Sequence, residues 1–439
     1  MNVKFTPATM HGSQAGMKKD LRFTPTPCGN NMDSVDKGKD YRFVPSLPQN
    51  LAVAGHSIRG GTRFVPAQAR GLWVRDDYKF VPSAFGIIDR TSEKFKKEYT
   101  LDWWTESALF NYSALLVSAY YGMDIWEFRE HYKIPRKDFL FIADSGGWQI
   151  TTQKVKIDAH DILRWQEHNA DVGLTLDVPP VYAESRKVYT DMADFQHCVE
   201  MSKKNCEIMH RSWKSEDLEL LKVIHGVEPE QLDIWYKAHE DLEFSGLAFS
   251  PKPPNEMSIA TLLAYGIEKE AKKVHMFTGT GLGTSPVVIY AKKYFERLTY
   301  DSSTFSSQGA KMRAYFMPQD LSGRIMFGRA YNSTFKRLPC TCPVCQLSTI
   351  DDMNAEGSCP GGLIALHNLW VYLMYCNFID SLADSKTDLM EHLRKNEQHD
   401  AIKAIEFIDL SVDIGFYDAY NKVYREGQAG LTDVSSIFE

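Results

Sequence analysis

Three cysteines fall within six positions in "LPCTCPVCQ", residues 338–346: Cys340, Cys342 and Cys345, with His367 further on. Thiolates and imidazole are the ligands tetrahedral zinc takes, and three Cys with one His close its coordination shell. The chemistry expected of them is therefore structural, with no open position for water. Cys359 is a rival fourth ligand; an iron–sulfur cluster would also need it, in a spacing unlike the common ferredoxin patterns. A second set of residues carries carboxylates: Asp144 in "ADSGG", Asp177 in "LDVPP" and Asp301 in "TYDSS". One such Asp often does no more than cap a following helix. Three of them, each closing a short apolar run and two followed by glycine or serine pairs, suit acid–base and nucleophilic work.

These residues need a frame that brings distant strand ends together. The short apolar runs are "FLFIADSGG", "VGLTLDVPP", "LLKVIHGVE", "FSGLAFSP", "KVHMFTGTG" and "RLTYDSS". Between them lie helix-like segments such as "AHDILRWQEHNA" and "MADFQHCVEMSKKNCEIMHRSW". Strands alternating with helices indicate parallel βαβ units. The expected fold class is α/β: a (β/α)8 TIM barrel over residues 91–330, with a doubly wound sheet as the fallback. In a barrel, catalytic groups sit where strands end and loops begin. Those ends are Asp144, Asp177, His225, Gly246, Gly279 and Asp301. The stretch at 95–133 has the spacing of a helix. His367 lies in "GGLIALHNLWVYLMY", also helical, so residues 331–380 read as a zinc-binding subdomain and docking helix. Residues 381–439 read as a C-terminal helical segment.

The first ninety residues repeat: "VKFTPA", "LRFTPT", "YRFVPS", "TRFVPA" and "YKFVPS", around Phe5, Phe23, Phe43, Phe64 and Phe80. Each proline biases the residue before it toward an extended backbone. Residues 1–90 are therefore expected to form an extended basic arm, whose Phe side chains plug grooves of the main body or stand near bases while Lys and Arg meet phosphates. The arm carries 13 Lys/Arg against 7 Asp/Glu, within a chain of net charge −7. A second basic stretch, from Ser302 to Ile350, holds Lys311, Arg313, Arg324, Arg329, Lys336 and Arg337 against Asp320 alone. Local basic zones can bind a polyanion whatever the global charge.

Composition excludes several classes. At 439 residues and 44% hydrophobic the chain is an ordinary globular one. No apolar run approaches the roughly 18 residues of a membrane span. The start has no apolar h-region. A soluble, cytoplasmic protein with no membrane partner is expected, and a disulfide framework is not.

Taken together, "DSGGWQ", "LDVPP", "SGLA", "YDSS", "CTCPVC" and "HNLWVYLM", in that order over about residues 100–380, resemble the tRNA-guanine transglycosylase family. That resemblance implies a (β/α)8 barrel with a zinc subdomain. It also implies exchange of a guanine in a polynucleotide for a 7-deazaguanine base through a covalent intermediate. By resemblance Asp301 is the nucleophile and Asp144 the general acid/base. Trp148 stacks on the base, Asp177 accepts hydrogen bonds from its guanine-type edge, and Gly246, Leu247 and Ala248 offer backbone contacts. Ser145 and Gln149 share the Asp144 loop. The resemblance implies one structural zinc on Cys340, Cys342, Cys345 and His367, and a target nucleotide flipped from its stack.

The chain departs from the family in two places. His225 stands before Gly226 where the family has Gln. The segment after Asp301, "SSTFSSQGAKMR", lacks the Pro-Thr-Arg run that reads an anticodon loop, though Lys311, Arg313, Arg324 and Arg329 remain to touch phosphates. With the long basic arm, these changes make the chain similar to the DpdA-type DNA-guanine transglycosylases of phages and bacterial genomic islands. That branch inserts 7-cyano-7-deazaguanine, a modification that would hide phage DNA from restriction enzymes. The partners expected are DNA, with tRNA as the alternative, and the free base. A non-catalytic nucleic-acid-binding subunit is a rival, but it would have no need of both Asp144 and Asp301. A metal hydrolase is disfavoured because the Cys/His site is closed. The flank "FGRAYNSTFKRL" fixes no oligomeric state.

Overall fold

The computed structural model describes, with their side chains, residues 103–104, 110–182, 189, 191–277, 282–302, 305, 337–338, 340–346, 348–350 and 364–424; residues 41–45, 314–319, 324–329, 347, 360–363 and 425 are described as backbone. Seven strands follow one another between 114 and 302: β2 (Ala114–Ser118), β3 (Leu140–Asp144), β4 (Val172–Leu174), β5 (Glu219–Ile224), β6 (Gly246–Phe249), β7 (Lys273–Phe277) and β8 (Arg297–Ser302). All pair in parallel in that order, and a strand from much earlier in the chain, β1 (Tyr41–Pro45), pairs in parallel onto β8. The two edge strands, β1 and β2, lie against one another, so the sheet curls into a nearly closed, barrel-like α/β structure.

Helices cross between the strands: α1 (Ala119–Gly122), α2 (Phe128–His131), α3 (Gly147–Gln153), α4 (Ala159–Asn169), α5 (Met192–Ser212), α6 (Pro229–Ala238), α7 (Glu256–Glu268) and α8 (Thr284–Ala291). Their starts are chemically marked. Asp158 accepts from the backbone N–H groups of His160 and Asp161, Asp191 from Ala193 and Asp194, and Asn255 from Ser258, each satisfying donors that the helix leaves unpaired. Trp165, Trp235 and Phe195 fill the layer between helices and sheet.

One expectation about this frame is corrected. The helical stretch foreseen at 95–133 contains strand β2, and its described helices are the single turns α1 and α2. An "ALLVS" run buried on both faces carries no period that separates strand from helix; pairing with β3 decides it. The third basic repeat, "YRFVP", forms strand β1, with Phe43 in register with Tyr300 and Val44 with Asp301. The other four repeats lie outside the described residues.

Beyond β8 the chain leaves the parallel sheet. β9 (Ala314–Gln319) and β10 (Arg324–Arg329) form a separate antiparallel pair, with β9 against a later helix, α10 (Pro360–Ala383). Between them comes the short helix α9 (Pro343–Leu347). The C-terminal helices α11 (Lys386–Lys395), α12 (His399–Ile414) and α13 (Phe416–Tyr420) follow, and α12 packs on α7 and α8. Asp409 of α12 accepts from the hydroxyls of Tyr290, at 2.6 Å, and Tyr294, at 3.0 Å, fastening this segment to the barrel.

Candidate active site and metal centre

Parallel strands bring their C-terminal ends to one rim. The register sets Asp144 beside Ser118 on β2 and Asp301 beside Phe277 on β7. Side chains alternate along a strand. On β8 Tyr300 faces the helices, where its hydroxyl lies 3.0 Å from Cys376 Sγ on α10. Arg297, Thr299 and Asp301 therefore face the interior. At the opposite end of the sheet Glu219 of β5 pairs with Lys273 at 2.7 Å and with Arg297, closing the floor with one carboxylate between two cations.

At the rim, three carboxylates share one field. Asp144 is pushed up to about 7, first by burial and then by the negative charges of Asp177 and Asp301, against the pull of hydrogen bonds from the Gly146 and Ser145 backbone. A carboxyl that holds its proton near neutrality is what a general acid needs. Asp177 is buried and bound on both oxygens: Oδ2 lies 2.6 Å from His225 Nε2, and Oδ1 accepts from Ser145 Oγ at 3.4 Å. His225 is thus the direct partner of Asp177.

The loop after β3 is shaped by its glycines. Gly146 has φ +90°, in the left-handed region open to glycine. A Cβ on Gly147 would stand 2.4 Å from both the carbonyl oxygen and Oδ1 of Asp177. Gln149 and the Ser118 hydroxyl come close to Gly146 here. Gln149 is fully buried, yet neither atom of its amide, nor Ser118 Oγ, makes a hydrogen bond among the described residues. Buried polar groups normally find partners, and the nearby Tyr121 hydroxyl feels the Gln149 side chain. Trp148, on the other side of the loop, has Lys252 Nζ 5.3 Å from its ring centroid.

The remaining foreseen residues are placed unevenly. Ala248 shares register with His275, one step below the rim, and Leu247 is buried. Gly246 opens β6 beside Lys273, where a Cβ would meet the Lys273 carbonyl oxygen at 2.2 Å; it lies toward the floor, away from the carboxylates. Arg324 and Arg329 are the two ends of β10. Lys311 and Arg313 lie outside the described residues. One residue just below the rim was not foreseen: His275, in the middle of β7, has Nε2 3.6 Å from Asp301 Oδ1. Its only sequence signal was a lone His within an otherwise apolar strand.

The cysteine cluster assembles as expected. The donor atoms of Cys340, Cys342, Cys345 and His367, all buried, lie within 4.8 Å of one another. His367 Nδ1 stands 3.3 Å from the sulfurs of both Cys342 and Cys345. Cys342 also caps α9 by accepting from the Cys345 N–H. Burial pushes the Cys342 and Cys345 thiols up, while hydrogen bonds from those two draw Cys340 well below the usual thiol range. A bound cation would hold all three as thiolates. The three-sulfur, one-nitrogen donor set fits a metal such as zinc. Cys359 lies outside the described residues.

The helix that carries His367 is also bonded to the carboxylate rim. Its next residue, Asn368, donates to the Phe305 carbonyl at 3.1 Å, just past β8, and Tyr372 OH donates to Tyr300 OH at 3.4 Å. The Cys/His cluster thus shares its helix with the residues that brace the Asp301 strand. No helix among the described residues is long and apolar enough to cross a membrane. No family model matches the chain, and no curated protein matches it.

Proposed function

We propose that this chain is a guanine transglycosylase acting on DNA, a glycosyltransferase that exchanges guanine for a 7-deazaguanine base such as 7-cyano-7-deazaguanine. The observation that carries the reading is the shared rim of Asp144, Asp177 and Asp301, with Asp144 raised to about 7. A carboxyl that keeps its proton beside a second carboxyl group is the arrangement that displacement at an anomeric carbon requires. In the first half of the exchange an oxygen of Asp301 bonds to C1′ as the C1′–N9 bond breaks, and the departing guanine takes the proton of Asp144. In the second half the incoming base gives its nitrogen lone pair to C1′ and its proton to Asp144, and the Asp301 carboxylate leaves with the electron pair. One glycosidic bond replaces another, so no energy cofactor is needed.

Asp177, oriented by His225, accepts from the guanine-type edge of either base. Gln149 and Ser118 offer unspent hydrogen-bonding groups, and Trp148 with Lys252 forms a face on which a flipped base can stack. Zinc in the Cys/His site is structural and holds α9 on α10. Closure of the sheet by β1 completes a (β/α)8 barrel, and the basic repeats grip the DNA backbone. The enzyme works in the cytoplasm, where the free base is available, and the modified DNA of a phage escapes restriction.

The test is base exchange with labelled 7-cyano-7-deazaguanine, offered duplex DNA, single-stranded DNA or bulk tRNA in parallel. Label entering DNA supports the reading. Label entering tRNA alone transfers the same chemistry to tRNA. Absence of label from every polynucleotide overturns it. Asp301→Ala should abolish the covalent protein–polynucleotide adduct while the protein stays folded; an adduct that survives this change removes Asp301 from the nucleophile role.

A further inference from the structure

His275 belongs to no part of the chemistry assigned so far, yet its setting is specific. It is fully buried in the middle of β7. The β7–β8 register places it opposite Thr299, and Asp301 follows two residues later on the same interior face. Nδ1 lies 2.9 Å from Thr299 Oγ1, and the ring meets Phe277 edge-on, with centroids 5.0 Å apart, so the imidazole has one orientation. Nε2 has no hydrogen-bond partner among the described residues, and it is 3.6 Å from Asp301 Oδ1.

The tautomer follows from these contacts. A lone pair on Nε2 would face a carboxylate oxygen and be repelled by it. A proton there is attracted instead, which leaves Nδ1 as the acceptor. Thr299 supplies the matching donor: its hydroxyl is closer to Nδ1, at 2.9 Å, than to the Val274 carbonyl, at 3.4 Å. At 3.6 Å the Nε2–H is too far for a formed hydrogen bond. Such contacts tighten when the reacting complex assembles.

We propose that His275 is the positioning residue of the Asp301 carboxylate: its Nε2–H holds Oδ1, leaves Oδ2 to meet C1′, and receives the charge that returns to the carboxylate in the second half of the exchange. This rests on the transglycosylase reading above. When C1′–Oδ2 forms, Asp301 becomes a neutral ester, the negative charge departing with the N9 electron pair to meet the Asp144 proton, and the N–H keeps only a carbonyl oxygen. When the bond to C1′ breaks again, the electron pair returns to Asp301 beside a donor already in place. A fixed donor aimed at developing oxygen charge contributes on the order of 10²-fold to rate. A histidine that only filled space would contribute to stability and leave the fate of the adduct unchanged.

Two measurements on the full chain test this. The first needs no activity. In ¹⁵N-histidine-labelled protein, with the His275 signal assigned by its loss in His275→Gln, the Nε2 resonance is compared between wild type and Asp301→Asn. A shift of Nε2 on removing the carboxylate charge is expected; an unmoved resonance overturns the pairing. The second follows exchange and adduct together. His275→Phe, which keeps a planar ring but removes both nitrogens, should lower kcat by about 10- to 100-fold with little change in KM for the free base. The fraction of protein trapped as adduct should rise, because release is slowed more than formation. His275→Gln, which restores an N–H, should recover part of the rate and is the variant to read if the Phe form does not fold. Unchanged kcat and adduct fraction in a folded variant refute the role. If wild type exchanges base with no polynucleotide, the transglycosylase reading and the catalytic role fall together, and the ¹⁵N comparison separately decides whether the His275–Asp301 pair exists.

Discussion

Asp144→Asn should make the protein more stable at neutral and alkaline pH while abolishing base exchange. The carboxyl is raised from the ordinary 3.8 to about 7 in the folded protein, by burial first and by Asp177 and Asp301 next. The native state therefore holds a proton that the unfolded chain releases, and the sign follows: stability falls as pH rises from about 4 through about 7, and the cost is complete above that range. A difference of about 3 pKa units at 1.36 kcal/mol each corresponds to roughly 4 kcal/mol by pH 8, against roughly 1.5 kcal/mol at pH 5 and nothing at pH 3. Asparagine is isosteric, accepts the same backbone hydrogen bonds from Ser145 and Gly146, and has no charge to desolvate. Urea unfolding of wild type and variant at pH 5 and pH 8 reads the effect, with the variant's advantage growing by about 2.5 kcal/mol between them. A difference that does not change with pH would refute the argument that burial and neighbouring carboxylates hold this proton. In the same range the exchange rate of wild type should fall as pH passes about 7, since the leaving guanine needs the protonated acid.

Further outcomes are expected at neighbouring positions. His225→Ala leaves Asp177 Oδ2 buried without its 2.6 Å partner and should lower stability by about 3 kcal/mol; a loss below about 0.5 kcal/mol in urea unfolding would show that water replaces the imidazole. Gly147→Ala puts a methyl 2.4 Å from Asp177 and should cost about 1–3 kcal/mol of stability, with KM for the free base raised. Normal KM in that variant would mean that Asp177 does not contact the base. Cys342→Ala should reduce bound zinc, read by elemental analysis, and the melting temperature together, because structural zinc binding is folding free energy; full occupancy in the variant would break the ligand set.

Much of the site was legible because its signals are local. Cys340, Cys342 and Cys345 lie within one turn of chain, and the only distant ligand, His367, sits in a helix whose apolar residues announce it. Asp144, Asp177 and Asp301 each end an apolar run, and parallel pairing alone carries such ends to one rim. Strand β2 was hidden, because "ALLV" is apolar at every position and its partner β3 lies beyond two helical turns. Strand β1 was hidden for another reason: nothing in "YRFVP" says that its backbone bonds are met by β8, more than two hundred and fifty residues later. The sequence by itself determined the alternation of strands and helices, the Cys/His cluster and the set of rim carboxylates, because these depend on residue type and short spacing. The tertiary structure alone decided which polar groups meet. His225 on Asp177 and His275 beside Asp301 follow from the parallel register and from which face of each strand turns inward, and a long-range register is set by packing across the whole sheet rather than by any segment within it.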